Sequence, residues 1–73
     1  MKFNERLREQ RNFNQLTQKA VALSLGISPS CYAGYESGYR EPDLNMLKKI
    51  CKLLKVSSDY LLGLEDETSV KNY

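Results

Sequence analysis

The sequence predicts an all-α domain of five short helices, and three observations carry that expectation. Cap and turn residues cut the chain into short segments. Apolar residues inside those segments recur at spacings of three and four, the period of a helix with one buried face. No run of alternating β-branched residues argues for a strand.

The first helix is expected over residues 3–12, with Phe3 and Leu7 four apart on its inner face and Arg6, Arg8 and Glu9 mainly outside. "RNFNQ" (residues 11–15) then breaks the pattern and reads as a loop. Thr17 is placed to cap a second helix, Gln18–Leu25, in which Val21, Ala22 and Leu25 share a face and Gly26 ends the run. Ser28 caps a third helix whose first residue is Pro29, a position where the missing N–H costs nothing. Tyr32 and Tyr35, three apart, point inward from it, and Gly38 stops it.

"YREPD" (residues 39–43) follows as an exposed connector, and Asp43 caps the fourth helix. Leu44, Leu47, Ile50, Cys51 and Leu54 make this the most amphipathic segment, and its other face carries Asn45, Lys48, Lys49, Lys52 and Lys55. Ser57 caps a last short helix, Ser58–Leu62, with Asp59 near its positive end and Gly63 closing it. Residues 1–64 are therefore expected to form one domain, and residues 65–73, poor in apolar groups, a flexible acidic tail.

Length and composition narrow the function classes. A 73-residue chain with no stretch long or apolar enough for a signal peptide or a membrane span reads as a small cytoplasmic domain with no membrane partner. With no histidine and only two cysteines it lacks the ligands of a usual four-coordinate zinc site, and no metal or other cofactor is expected. Cys31 and Cys51 fall on different helices and read as two reduced, mostly buried thiols; a redox role for Cys31 is the sharper alternative. The chain also lacks a phosphate-cradling loop and any context for a nucleophile, so no enzyme is expected. Its net charge of +2 is unevenly spread: residues 64–73 carry −2, which leaves +4 on residues 1–63. A basic body favours a polyanionic partner.

The pair formed by the second and third helices carries the functional signal. Counting from Gln18, apolar residues fall fourth, eighth, tenth, fifteenth and eighteenth (Val21, Leu25, Ile27, Tyr32, Tyr35), with Ala22 fifth and Gly26 ninth. A small residue at Ala22 permits close helix crossing, Gly26 makes a sharp turn, and the apolar set locks the second helix of the pair at a steep angle to the first.

With "LTQKAVALSLGIS", then "YESGYREP", then "LKKICKLLKVSSDYLLG", the sequence resembles the phage-repressor and Cro type of helix-turn-helix proteins, also called the xenobiotic-response-element family. The likeness covers residues 7–63 without a gap. It implies a compact, five-helix, lambda-repressor-like DNA-binding domain. The third helix would lie in the major groove of double-stranded DNA, commonly in a homodimer on a pseudo-palindromic operator.

The resemblance also implies roles for single residues. Gln18, at the start of the second helix, matches a glutamine that holds a phosphate, with Lys19 beside it. Tyr39 and Arg40, after the third helix, would grip a second phosphate. Arg11 and Glu36 match an internal ion pair that links the first helix to the end of the third. The outward positions of the third helix are Ser28, Pro29, Ser30, Ala33, Gly34 and Ser37, and the first five are the expected base readers. None is the Arg, Lys, Asn or Gln that makes bidentate contacts to purines, so serine hydroxyls, the Ala33 methyl and a deep seating at Gly34 would do the reading. Sequence choice would then lean on DNA shape and bridging water.

Two departures from the family pattern stand out. Family members often have glycine where Gln15 stands, which implies either a different turn or a strained positive φ at Gln15. Leucine is common where Gln10 stands, which thins the core slightly. Few reading groups per half-site make dimerisation useful, and Tyr60, Leu61, Leu64 and Val70 are the candidate interface, with simple core packing the alternative for Tyr60 and the favoured role for Leu61. The expected function is a sequence-specific transcriptional regulator, most simply a dimeric repressor that occupies its promoter. The alternative is a protein-interaction module, such as an antitoxin whose main partner is a protein.

Overall fold

The computed structural model describes residues 2–64, and the expectations for residues 65–73, Val70 included, lie outside them. Among the described residues there are five helices and no strand: α1 (Phe3–Phe13), α2 (Gln18–Leu25), α3 (Pro29–Ser37), α4 (Leu44–Leu54) and α5 (Ser58–Leu62). Four of the five starts are fixed by local chemistry. The side chains of Thr17, Ser28, Asp43 and Ser57 each accept a hydrogen bond from the amide three residues on, satisfying one of the free donors at a helix start.

α1 runs one residue beyond its expected end, to Phe13. Asn14 explains this: its backbone N–H and its side-chain Nδ2 both donate to the Gln10 carbonyl, at 3.1 and 2.8 Å, and close the last turn. The same Nδ2 donates to the Leu54 carbonyl at 3.2 Å, so one amide joins the ends of α1 and α4. Gln15 then turns the chain at φ +60°. Lys55 takes the same left-handed conformation at the end of α4, with φ +59°, a site where a glycine would be expected.

The core is one cluster made of Leu7, Val21, Ala22, Leu25, Tyr32, Tyr35, Leu47, Ile50, Leu54 and Leu61. α1 packs on α3 and α5, α2 on α3 and α4, and α4 on α5. Tyr32 and Tyr35 meet edge to face with ring centroids 6.1 Å apart, a favoured aromatic geometry. Leu61 is completely buried in this cluster, the core role favoured for it, and its side chain holds α5 down. Arg6, expected outside, is half-buried. Its guanidinium lies 4.4 Å from the Tyr60 ring centroid, and its Nη1 donates to the Tyr60 carbonyl at 3.2 Å. Both cysteines are free, half-buried and packed against the core.

Candidate nucleic-acid interface

The turn between α2 and α3 is built by Gly26, whose φ of +76° suits glycine and whose Cβ, if added, would meet nothing within 4 Å. Backbone conformation, not space, selects glycine here. The Ile27 amide then donates to the Ala22 carbonyl at 3.0 Å, tying the turn back to α2. The burial of Val21, Ala22, Leu25, Tyr32 and Tyr35 anchors the two helices against α1 and α4 and leaves the opposite side of α3 facing solvent.

Behind this pair lies a polar cluster centred on Glu36, which is only 3% exposed. Arg11 donates to it twice, Nε to Oε2 at 2.6 Å and Nη2 to Oε1 at 3.1 Å. Tyr32 Oη donates to Oε2 at 2.5 Å and Gln18 Nε2 to Oε1 at 3.0 Å. Arg11 also donates to the Leu16 carbonyl at 2.8 Å, so α1, the loop before α2, α2 itself and α3 share one network. Burial pushes the Glu36 carboxyl upward. The hydrogen bonds from Arg11, Tyr32 and Gln18, together with the Arg11 charge, outweigh that and hold it below the ordinary carboxylate range. Burial and the bond to Glu36 push the Tyr32 hydroxyl well above the usual tyrosine range.

Gln18 therefore stands at the first turn of α2 with one of its two amide protons committed to Glu36. The Glu36 bond fixes the orientation of the amide group, whose second proton makes no hydrogen bond among the described residues. Lys19 beside it is exposed, and so is Tyr39, at 84% of its full surface.

On α3, Pro29 and Ser30 are exposed, and Ala33 is half-buried. Ser28 is exposed too, but its oxygen accepts the Cys31 amide at 3.1 Å, so the hydroxyl that was expected to read bases also serves as the helix cap. Gly34 departs most from expectation. It is buried, not open to a groove, because the Arg40 side chain lies across it: a Cβ at Gly34 would sit 3.0 Å from Arg40 Cδ and 3.1 Å from Cγ. No signal short of the fold marks this contact beyond the presence of a glycine inside a helix, which is unfavourable without a packing reason. Of the other expected interface residues, Tyr60 on α5 is half-buried against Arg6, while Leu64, just past the end of α5, is 73% exposed.

A family model described as Helix-turn-helix matches residues 5–61, most of the chain. The chain belongs to the helix-turn-helix family. Among family members, the HTH-type transcriptional regulator ImmR of Bacillus subtilis (strain 168) is 44% identical over 72 residues, covering 99% of this chain and 56% of ImmR. The chain spans just over half the length of curated helix-turn-helix relatives such as ImmR. Among solved structures, the P22 c2 repressor protein in complex with synthetic operator 9T superposes with a TM-score of 0.80 at 31% identity, covering 85% of this chain and 94% of that one. The restriction-modification controller protein C.AhdI from Aeromonas hydrophila gives 0.75 at 32% identity, covering 82% of this chain and 87% of the controller.

Proposed function

We propose that this chain is a sequence-specific DNA-binding transcriptional regulator that works in the cytoplasm as a homodimer, most simply a repressor that acts by occupying its promoter. The observation that carries the reading is the helix-turn-helix pair itself. Its α3 presents an exposed, small-residue face (Pro29, Ser30, Ser37), and its margins hold the exposed cation donors Lys19 and Arg40. The likeness to a repressor solved on its operator supports the same reading.

In this reading the α2 N-terminus meets a phosphate through Gln18 and Lys19, helped by free backbone amides at the positive helix end. Tyr39 meets a second phosphate from the far side of α3. Ser28, Pro29, Ser30 and Ala33 line the base edges, where hydroxyls tolerate several partners and a methyl suits thymine. A second copy docks through Leu64, which is 73% exposed, with Tyr60 and the 50% exposed Leu62, the latter lining an apolar hollow with Phe3, Pro42 and Leu47. A two-fold dimer would set the two α3 helices about 34 Å apart, one turn of B-DNA. That same apolar surface is what a protein partner would use if the chain worked as an interaction module.

Fluorescence anisotropy with a labelled duplex from the promoter upstream of its own gene, against a scrambled duplex at several salt concentrations, tests the reading. Preference for the promoter, with affinity falling linearly in log salt, is the expected result. Weak and equal binding to both duplexes would overturn it in favour of the interaction module.

A further inference from the structure

Between Pro29 and Ser37 the third helix holds no Arg, Lys, Asn or Gln, so it lacks every side chain that makes bidentate contacts to purine edges. Gly34 lies four residues after Ser30 and three before Ser37, on the face those exposed serines share. A glycine inside a helix costs about 1 kcal/mol relative to alanine, so its presence calls for a packing reason. The reason is Arg40. Its stem runs across the bare backbone so closely that a Cβ at Gly34 would meet Arg40 Cδ at 3.0 Å, Cγ at 3.1 Å and Cβ at 3.4 Å. Its root is fixed as well, since the Arg40 amide donates to the Gly34 carbonyl at 3.1 Å.

The far end of the side chain is different. Arg40 is exposed, and its guanidinium makes no hydrogen bond or ion pair among the described residues. A held stem and an uncommitted planar fork describe a pre-oriented donor group. It emerges where a side chain at position 34 would have stood.

We propose that Arg40 is the specificity-determining residue of this interface: it lies over Gly34 and reads a guanine edge in each half-site, supplying the bidentate contact that α3 itself lacks. This rests on the DNA-binding reading above and replaces the expectation that Arg40 is a phosphate clamp. Gly34 is then not a reader but the seat that aims one. Arginine suits the task because its fork matches the O6 and N7 acceptors of guanine, while a phosphate contact carries no base identity.

The test begins with duplexes selected by the full chain from a randomised pool, followed by anisotropy titrations in which each G·C pair of the selected site is replaced by A·T. The wild-type protein is expected to lose about 5- to 140-fold in affinity at one G·C pair per half-site. Arg40→Ala is expected to be indifferent to that replacement while keeping its other preferences. Gly34→Ala, which pushes the Arg40 stem aside, is expected to lose discrimination at the same pair, with circular dichroism reporting that it remains folded. If Arg40→Ala weakens every duplex by the same factor and keeps the wild-type preference at every pair, Arg40 is a phosphate contact and the proposal is wrong. Failure of the wild-type protein to enrich or bind any duplex is a separate outcome, and it takes down the DNA-binding reading together with this one.

Discussion

Replacing Glu36 with glutamine removes one charge from the network that joins α1, α2 and α3, and the structure allows its cost to be worked out. The carboxylate is 3% exposed and accepts four hydrogen bonds, two from Arg11, one from Tyr32 and one from Gln18. Glutamine keeps the shape, but one of its two terminal groups becomes a donor aimed at other donors. Breaking one side of a buried ion pair costs about 3–5 kcal/mol. Arg11 is 12% exposed and keeps its bond to the Leu16 carbonyl, which places the expected loss near the lower end, about 3 kcal/mol. A chain of this length is stable by roughly 4–11 kcal/mol, so the variant stays measurable. Urea unfolding followed by helical circular dichroism at pH 7 gives the number, with an unchanged denaturant slope as the check on two-state behaviour. Tyr32→Phe, which removes a single donor, is expected to cost about 1–3 kcal/mol. In a double-mutant cycle, Arg11→Met combined with Glu36→Gln should cost less than the sum of the two changes, because the arginine no longer leaves a stranded charge. A loss below about 1 kcal/mol for Glu36→Gln, or strict additivity in the cycle, would refute the reasoning.

Three further outcomes follow from the same structure. Gln15→Gly relieves a left-handed backbone at φ +60° and is expected to raise stability by up to about 1 kcal/mol in the same urea assay; a loss would mean that the Gln15 side chain is needed for packing. Because the Glu36 carboxyl is held below its unfolded value, its contribution is fully present above about pH 4.5 and is lost as pH falls through the lower folded value; acid titration should show that step in the wild type and not in Glu36→Gln. Leu61→Ala should destabilise the monomer by about 2–5 kcal/mol, whereas Leu64→Ala should leave unfolding unchanged and weaken self-association in sedimentation; the reverse pattern would put Leu61 at the interface.

Much of the fold was legible because its signals are local. Thr17, Ser28, Asp43 and Ser57 cap the helices they were expected to cap, and Gly26, Gly38 and Gly63 end α2, α3 and α5 in the left-handed conformation. What escaped depends on contacts distant in sequence or on side chains with two plausible fates. Arg6 is polar at its tip, yet its stem and charge find Tyr60 across 54 residues. Leu61 has the pattern of either an interface or a core residue, and only the approach of α1 and α4 to α5 decides for the core. Lys55 adopts a positive φ that nothing in its own chemistry favours; the turn into α5, closed by the Val56 amide on the Cys51 carbonyl at 3.1 Å, requires it. Within the candidate interface, Gln18 and the exposed part of α3 could be placed from spacing and resemblance. The covering of Gly34 by Arg40 could not, since a small residue on an outward face reads equally well as a gap for DNA or for a neighbouring side chain.

The central claim is that DNA is bound through α3 and its two flanks. It is tested most directly by backbone amide NMR titration of the protein with a selected duplex. Shift changes concentrated at residues 17–19, 28–34 and 37–40, with the exposed lysine face of α4 unmoved, are the predicted result. Changes centred on Leu44, Lys48 and Lys52, with α3 silent, would contradict it.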